Sequence, residues 1–337
     1  MAAGFKTATV TSDDVAATLT NYPTYVDLSR LGITTLAEAQ SVRVYAESGK
    51  STEWAREIVS VTEMHVKVPS LTSTVEMYVD WDGIRADYAV TDTYGRNNVW
   101  SVYLAVYHLE SLTTDSTGNG YTLTNNNSVA ASSSGKFGGG AADFGATNTN
   151  KTLSVSNNLG IDGGNCSISA WHAPHSATGT VGGVAETTSQ NTDVTQSMWY
   201  HGGVPASYNS RSRRNVTDAF SNVAGSIASG VYAYCNYTYD GTNVRGYRNT
   251  TAATAAAASG NGSGSNPDIT IIGHAPRFGV YFTGKVDEVR FASSVTSANW
   301  ITTEYNNQNS YSTFYSVAAV AGGSAAQAAR RGAVMMM

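Results

Sequence analysis

The residues best suited to bind an ion lie in one short segment, Asp115-Ser-Thr-Gly-Asn-Gly120. It offers a carboxylate from Asp115, hydroxyls, an amide oxygen from Asn119 and turn carbonyls, which are the hard oxygen ligands that calcium prefers. The alternative is an Asx-type turn, in which Asp115 and Asn119 bond to their own backbone. The segment resembles the first half of a helix-loop-helix calcium loop, but its twelfth position is Asn126 instead of Glu. A structural calcium ion and a closed turn are therefore both open.

A second candidate site is aromatic. The segment Met198-Trp-Tyr-His201 stands before a Gly-Gly turn, which predicts a surface patch formed by Trp199, Tyr200 and His201. Aromatic rings offer an apolar face on which sugars stack, and Tyr adds a polar group at its tip. These three residues are therefore candidate ligand-binding residues. Tyr208, Tyr232, Tyr234 and Tyr247 are further aromatic candidates, most of which we expect in the core or in cross-strand pairs.

The residue patterns of known catalytic sites are missing from the sequence. Hydrolysis of a glycosidic bond needs two carboxyl groups that flank the bond. The adjacent acids Asp287 and Glu288 are neighbours on a predicted strand, so their side chains face opposite sides and cannot form such a pair. A Gly-x-Ser-x-Gly nucleophile elbow is absent. His172 and His175 have no third convergent ligand for a metal. We expect no catalytic residues.

The composition predicts that strands position these candidates. Among 337 residues there are 33 Gly and 20 Tyr, and charged residues make up only 13%. Tyr and Thr favour pleated surfaces, while Gly, Asn and Ser favour the turns between strands. A hydrophobic fraction of 41% provides enough apolar surface for a folded core. The sequence therefore predicts an all-β protein.

The first hundred residues carry several alternating apolar and polar segments, the pattern of half-buried strands. These segments are Tyr25-Val-Asp-Leu28, Ser41-Val-Arg-Val-Tyr45, Met64-His-Val-Lys-Val68 and Val75-Glu-Met-Tyr-Val79. A helical turn is expected only at Leu36-Ala-Glu-Ala-Gln40. The series NYPTYVDL, SVRVYAESGKSTEWAREI, HVKVPSLTST, EMYVDWDG and VWSVYLAVYHLE resembles a bacterial domain of unknown function that commonly precedes a laminin-G-like module. Two positions depart from that family's pattern, His65 and Asp82.

The middle of the chain carries a second resemblance. Its blocks are VWSVYLAVYHLESLTTDSTGNGYTLTNNNSVAASSSGKFGGGAADFG from Val99, CSISAWHAP from Cys166, VYAYCNYTYDGTNVRGYRN from Val231 and FTGKVDEVRFASSVTSANWITTEYNNQ from Phe282. In this order they resemble a laminin-G-like, concanavalin-A-type lectin/glucanase module. The resemblance implies a jelly-roll sandwich. We therefore predict two β-sandwich domains in tandem, over residues 1–98 and 99–316, followed by a flexible or assembly-docking tail at 317–337.

The laminin-G-like resemblance also has implications for calcium binding and for glycoside hydrolysis. In some such modules the acidic turn faces an aspartate of the closing strand, which is Asp287 here, and the two hold a structural calcium ion. Asp115, Asn119 and Asp287 are thus the implied calcium ligands. Glucanases of this fold carry a Glu-x-Asp-x-x-Glu pattern on one strand, and this sequence contains no such pattern.

The two cysteines, Cys166 and Cys235, alternate with apolar residues on predicted strands. Both sulfurs should therefore point into the sandwich interior. Two buried thiols are favoured, and a disulfide is the alternative, which would require the Cα atoms to lie within about 7 Å.

These features favour a non-catalytic surface-binding or structural protein. The first hypothesis is a virion component, such as a phage capsid decoration, fibre or tail protein. Low charge, the missing catalytic pair, the apolar tail and an N-terminus without a secretory signal support it. The alternative is a secreted or cell-surface bacterial carbohydrate-binding module, and the third hypothesis is a glycoside hydrolase of the same fold.

The expected partners follow from the same two leading hypotheses. They are other virion proteins or a host-surface glycan, with self-association into a homo-oligomer as a further expectation. The net charge is −5, and the short basic run at Arg211, Arg213 and Arg214 is too small for a nucleic-acid footprint, so nucleic-acid binding is not expected. No apolar stretch is long enough to span a membrane. The expected location is a virion surface or the extracellular space.

Overall fold

The computed structural model describes residues 6–161, 164–176, 181–189, 194–201, 207–214, 217–258, 268–276, 279–318 and 321–322. Strands dominate these residues, which confirms the all-β prediction. None of their helices has the length and apolar character needed to cross a membrane. The chain folds as two compact units, each a β-sandwich. The first comprises the residues up to Ser101 and those from Asn306 onward, and the second is Val102–Tyr305.

Within the residues that the structure describes, the first unit contains eight strands and four short helical segments. The strands are β1 (Lys6–Ser12), β2 (Leu19–Asp27), β3 (Arg43–Tyr45), β4 (Arg56–Ile58), β5 (Glu63–Leu71), β6 (Glu76–Trp81), β25 (Tyr315–Val317) and β26 (Ala321–Gly322). The helical segments are a 3-10 turn (Leu28–Leu31), α1 (Leu36–Gln40), α2 (Arg96–Val99) and α4 (Tyr311–Phe314). One sheet has the order β25-β1-β6-β3, with β26 also paired to β1, and the other has the order β2-β5-β4.

The alternation seen in the sequence explains these elements. Val10, Val44 and Val79 turn inward from neighbouring strands of the larger sheet and are fully or almost fully buried. The helical turn predicted at Leu36 is α1, where the Thr35 side chain accepts a hydrogen bond from the Glu38 backbone N–H. Such a cap satisfies one of the amide groups that the first turn of a helix leaves unpaired. The predicted strands and helix of this unit are therefore confirmed, but the expectation of only one helical turn is wrong, because Leu28–Leu31 forms a 3-10 turn and Arg96–Val99 forms another helical turn.

The boundary between the units differs from the one predicted. Residues 306–316, assigned from the sequence to the second domain, lie with the first unit instead. The reason is strand pairing: Tyr315 lies opposite Ser12 and Val317 lies opposite Val10 across the β1–β25 ladder. The tail predicted from residue 317 therefore begins as part of a sheet, and β26 extends the pairing to Lys6 and Thr7. The prediction for residues 323–337 lies outside the described residues.

Among the described residues, the second unit contains eighteen strands, and the longer helix α3 begins in this unit. They are β7 (Ala105–Tyr107), β8 (Thr124–Asn126), β9 (Ala130–Ser132), β10 (Ala141–Asp143), β11 (Thr152–Val155), β12 (Cys166–Pro174), β13 (Val181–Ser189), β14 (Val194–His201), β15 (Ser207–Arg214), β16 (Thr217–Ala224), β17 (Ala233–Tyr239), β18 (Asn243–Arg248), β19 (Thr251–Ala252), β20 (Ala256–Ala257), β21 (Ile269–Ile272), β22 (His274–Ala275), β23 (Val280–Tyr281), β24 (Gly284–Ala292) and α3 (Ala298–Asn309).

These strands form two nine-stranded sheets. Sheet I has the order β19-β18-β17-β12-β24-β10-β9, with β20 paired to β18 and β7 paired to β24. Sheet II has the order β16-β15-β14-β13-β21-β11-β8, with β22 and β23 at its side. One hydrophobic core, drawn from both sheets, fills the space between them. This arrangement is the sandwich that the sequence predicts for the second domain.

Strand β12 shows how alternation separates the core from the outer face of sheet I. Cys166, Ile168 and Ala170 point into the core, whereas Trp171 belongs to a separate outer cluster with Tyr234. The register shift between Ser169 and Trp171 of the β12–β24 ladder comes from one extra residue on β24, where Val286 and Val289, three residues apart, both join the core. Such a bulge redirects side chains without ending the strand.

The two cysteines occupy the positions predicted for buried thiols. Cys166 and Cys235 are both fully buried members of the core, and they are not joined in a disulfide. Cys166 lies opposite Tyr239 and Cys235 lies opposite Ala170, so the two thiols sit four positions apart along the β12–β17 ladder. Burial raises the pKa of the Cys235 thiol well above its ordinary value, which keeps it protonated and unreactive.

Candidate functional site

The acidic turn, residues 115–120, is closed by its own hydrogen bonds. Asp115 Oδ1 accepts from the backbone N–H groups of Val106 (3.1 Å) and Thr117 (2.9 Å). Asp115 Oδ2 accepts from the Thr117 hydroxyl (2.8 Å) and the Tyr121 backbone N–H (3.0 Å). The carboxylate is almost fully buried. The two bonds from Thr117 are those of an Asx-type turn, and the other two tie the carboxylate to the Val106 backbone and to Tyr121, just after the turn.

The other two implied calcium ligands bond elsewhere. The Asn119 side-chain amide donates to the Leu104 carbonyl at 2.8 Å. Asp287 lies on β24, where its two oxygens accept from the backbone N–H groups of Lys136 (2.6 Å) and Glu288 (2.9 Å). The structure thus joins Asp115 and Asn119 in one turn and bonds Asp287 to a different loop. Calcium binding by these residues stays a prediction.

The predicted aromatic patch falls at the end of β14, which contains Trp199, Tyr200 and His201. The side chains of these three residues lie outside the part of the chain that the structure describes. The patch therefore stays a prediction. The other tyrosine candidates of this unit differ in exposure. Tyr208, Tyr234 and Tyr247 are buried, whereas Tyr232 is half-exposed.

Tyr232 lines a pocket of about 450 Å³ at one end of sheet I. The pocket, called the strand-end pocket below, is formed by residues 134–135, 143, 145–146, 173–175, 229–230, 232 and 284–285. These residues lie at or next to the ends of β10, β12, β17 and β24. The volume lies within the range of about 300–1,000 Å³ typical of small-molecule sites.

Strand register explains why charged side chains reach this pocket. Asp143 on β10 lies opposite Lys285 on β24, and Lys285 lies opposite Ala173 on β12. Directly opposite residues of an antiparallel ladder share one face of the sheet. The neighbouring residues Ala142 and Val286 are core members, so Asp143 and Lys285 point to the outer face.

The carboxylate of Asp143 is positioned but only partly used. Its Oδ1 accepts a hydrogen bond from the Gly145 backbone N–H at 2.8 Å. Gly145 has a φ of +88°, a conformation that glycine adopts without strain. Among the described residues, Asp143 Oδ2 and Lys285 Nζ have no hydrogen-bond or ion-pair partner. Both groups line the pocket and are available to a ligand.

Tyr232 presents its ring from a fixed position. Its hydroxyl donates to the Ser134 carbonyl at 2.9 Å, which ties β17 to the loop of residues 134–139. Burial raises the pKa of Tyr232, and the negative charges of Asp287 and Asp143 raise it further. The hydroxyl therefore remains a neutral donor at physiological pH.

The loop of residues 134–139 covers Asp287. A side chain on Gly135 would begin 2.9 Å from Asp287 Oδ2, and the Lys136 backbone N–H donates to the same oxygen. Lys136 Nζ lies 4.0 Å from the centre of the Trp171 ring. Burial lowers the pKa of this amine to about 8, although the negative charge of Asp287 acts to raise it. Burial, together with Glu288 and Glu110, raises the pKa of Asp287 well above its ordinary value. Asp287 is therefore a buried carboxyl group that holds the loop of residues 134–139 in place through a hydrogen bond.

The two histidines considered as a metal pair are separated by the sheet. His172 is fully buried, with its ring 5.7 Å from Phe282 and 6.3 Å from Tyr208. His175 is exposed at the end of β12 and belongs to the strand-end pocket. Alternation places His172 on the inner face, so the two rings do not converge.

The sequence contained only a weak signal for the strand-end pocket. Asp143 and Lys285 are isolated charges in apolar or glycine-rich segments, and charged residues are scarce in this chain. Their meeting depends on the pairing of β10 with β24, which are far apart in sequence. Tyr232 was among the aromatic candidates, but its half-exposure follows from its position just before β17.

Comparison with known proteins agrees with the sandwich of the second unit. Residues 144–302 match a family model described as the concanavalin A-like lectin/glucanases superfamily. The match does not reach residues 20–110, whose resemblance to a domain of unknown function stays a prediction. A search of curated proteins found no significant match.

Several solved structures are similar in fold at low sequence identity. Domain 4 of a GH43 extracellular arabinanase from Geobacillus stearothermophilus, in complex with arabinotriose, is 18% identical over 59% of this chain and 96% of that chain, with a TM-score of 0.44. A SAP-like pentraxin from Limulus polyphemus is 12% identical over 42% and 69%, with a TM-score of 0.33. A structure of botulinum neurotoxin type C, whose cell entry depends on two ganglioside molecules, is 10% identical over 63% and 52%, with a TM-score of 0.48.

Proposed function

We propose that the second unit is a non-catalytic carbohydrate-binding module whose ligand occupies the strand-end pocket. The observation that carries the proposal is the combination of a half-exposed Tyr232 ring with the unused oxygen of Asp143 and the unused ammonium of Lys285 in one 450 Å³ concavity. The match of residues 144–302 to a superfamily that includes lectins supports a binding role of this kind.

The three side chains meet the two requirements of sugar recognition. A sugar ring has an apolar face of C–H groups, which packs against an aromatic ring such as Tyr232. Its hydroxyls both donate and accept hydrogen bonds, so a carboxylate oxygen and an ammonium group can fix its orientation. Bonds in which one partner is charged are stronger than neutral ones. Asp143 and Lys285 supply one group of each kind.

The arrangement of acids supports binding without hydrolysis. A glycosidase needs one carboxyl group as acid and a second as base or nucleophile, both in contact with the scissile bond. Asp143 lines the pocket, whereas Asp287, on the same face of the adjacent strand, lies beneath the loop of residues 134–139. A covered carboxyl group cannot reach a sugar in the pocket. A glycoside hydrolase is therefore the weaker proposal.

The setting that we propose is the surface of a virion, with a host-surface glycan as the ligand and other virion proteins as the attachment partners. A secreted or cell-surface bacterial module is the second candidate, and the family match supports it equally well. Mass spectrometry of purified particles and of the culture medium distinguishes the two. Stoichiometric copies in particles would support the first, and protein found only in the medium would overturn it.

A glycan array probed with the full chain tests the proposed function. We expect binding to a defined group of glycans, abolished or strongly weakened in Tyr232→Ala and largely retained in Tyr232→Phe, which keeps the ring. Tyr281→Ala is the matched control, because Tyr281 is also half-exposed in the second unit but lies on β23 of sheet II. An array on which wild-type protein binds nothing would overturn the proposal. Equal loss in the Tyr232 and Tyr281 variants would overturn the location.

A further inference from the structure

The charges around the strand-end pocket differ from those of the chain as a whole. The chain has a net charge of −5, yet two lysines stand at this pocket beside one aspartate. Lys285 lines it, and Lys151 Nζ lies 3.8 Å from the point where a side chain on Gly145, another lining residue, would begin. Asp143 is the negatively charged residue of the lining. Two ammonium groups and one carboxylate leave the site with a positive balance.

The lysines are not used by the fold. Within the ranges that the structure describes, neither Lys151 nor Lys285 has an ion pair or a side-chain hydrogen bond. Lys285 lies directly opposite Asp143 in the β10–β24 ladder, where neighbouring Cβ atoms are about 4.5–5.5 Å apart, yet the two charges do not form an ion pair. The Gly145 N–H bond to Asp143 Oδ1 helps to fix the carboxylate in its present orientation.

We propose that the ligand of this pocket is an acidic sugar, a uronic or sialic acid residue that carries a carboxylate. This inference rests on the proposed function and specifies its substrate class. The sugar carboxylate binds between Lys285 and Lys151, because an ammonium group is a compact donor suited to an anionic oxygen. Asp143 Oδ2 accepts hydrogen bonds from sugar hydroxyls, and the Tyr232 ring packs against the apolar face of the sugar.

Each contact has a distinct physical consequence. Because both lysines are partly exposed, their attraction to a carboxylate is screened by salt, and the affinity should fall as ionic strength rises. Removal of the charge from one lysine should weaken binding about tenfold, the effect expected for one charge-assisted hydrogen bond. Asp143 repels the sugar carboxylate, so Asp143→Asn should weaken the binding of neutral sugars more than that of acidic sugars.

The test compares each acidic sugar with its own neutral form. A uronic acid trisaccharide and a sialylated trisaccharide are titrated by calorimetry into the full chain, alongside the same compounds with each carboxyl group reduced to an alcohol. We expect each acidic form to bind about tenfold or more tightly than its reduced counterpart. The preference should disappear in the Lys151→Gln/Lys285→Gln double variant.

Arg245→Gln is the matched control, because Arg245 is an exposed cation elsewhere on sheet I. It should keep the full preference for the acidic form. Equal binding of acidic and reduced forms would overturn the acidic-sugar inference and leave the carbohydrate-binding proposal standing. No binding of either form, together with an empty glycan array, would overturn both. Loss of the preference in Arg245→Gln would show a general charge effect and would overturn the lysine site.

Discussion

Asp115 and Asp143 are both aspartates of the second unit, and their carboxylates have opposite surroundings. Asp115 is almost fully buried and accepts four hydrogen bonds from its own turn and from the Val106 backbone. Asp143 accepts one, from Gly145, and its second oxygen opens on the strand-end pocket. A carboxylate whose bonds are all supplied by the chain stabilises the fold. One that is held at a single oxygen can also bind a ligand.

A contrast in burial separates His172, on β12, from His175, the residue just after that strand. His172 is sealed in the core, while His175, three residues later, is exposed at the pocket. Asp287 and Asp143 differ in the same way on adjacent strands of sheet I, because Asp287 is buried and Asp143 lines the pocket. Residue type alone therefore does not identify the site. The number of bonds already supplied by the protein distinguishes a structural residue from a candidate ligand-binding residue.

The largest expected effect is on stability. Asp115→Ala leaves the buried N–H groups of Val106 and Thr117 without their acceptor, at a cost of roughly 3 kcal/mol or more. For a unit of this size, that cost lowers the melting temperature by about 6–12 °C. Asp143→Ala removes one bond at the edge of a pocket and should cost about 1 kcal/mol or less. Differential scanning calorimetry of the full chain measures both, and equal losses would contradict the distinction between the two aspartates.

The second prediction concerns acid. Burial, together with the charge of Arg248, lowers the pKa of His172 to about 3. Between that value and the ordinary pKa of about 6.5, the unfolded chain binds a proton that the folded chain does not, so stability falls as pH falls through this window. His172→Gln should therefore lose less stability than wild type between pH 6.5 and pH 4. His175→Gln, which changes an exposed ring, should follow the wild-type curve; parallel curves for all three proteins would refute the assignment.

The smallest expected effect is that of calcium. Because the acidic turn already supplies four donors to Asp115, we expect the melting temperature to be the same in excess calcium and in excess chelator. The calcium prediction from the sequence requires the opposite result. A rise in melting temperature with calcium that is lost in Asp115→Asn would establish the ion and show that the turn rearranges to bind it.

Local patterns predicted much of this fold. Alternation identified the strands around Tyr25, Val44 and Met64 and the inward direction of Cys166 and Cys235, because these features depend on neighbouring residues. The pairing of Tyr315 with Ser12 depends on residues from opposite ends of the chain, so the domain boundary near residue 306 was not predicted.

The strand-end pocket lay beyond sequence reasoning for the same reason. Asp143 and Lys285 meet only once β10 pairs with β24, and a shift of one residue would turn both side chains into the core. The acidic turn was visible in the sequence because its donors and acceptors lie within a few residues of one another. The bond from the Val106 backbone to Asp115 was not visible in the sequence, because a local pattern does not reveal a donor outside the turn.

The most direct test of the central claim is a chemical-shift map of the isotope-labelled full chain on addition of an oligosaccharide that it binds. We predict that the shifted backbone signals cluster at residues 134–135, 143–146, 173–175, 229–232 and 284–285, with Asp143 and Lys285 among them. Signals of residues 115–120 should stay in place. Shifts concentrated elsewhere, such as at residues 199–201, with the strand-end pocket unaffected, would contradict the account.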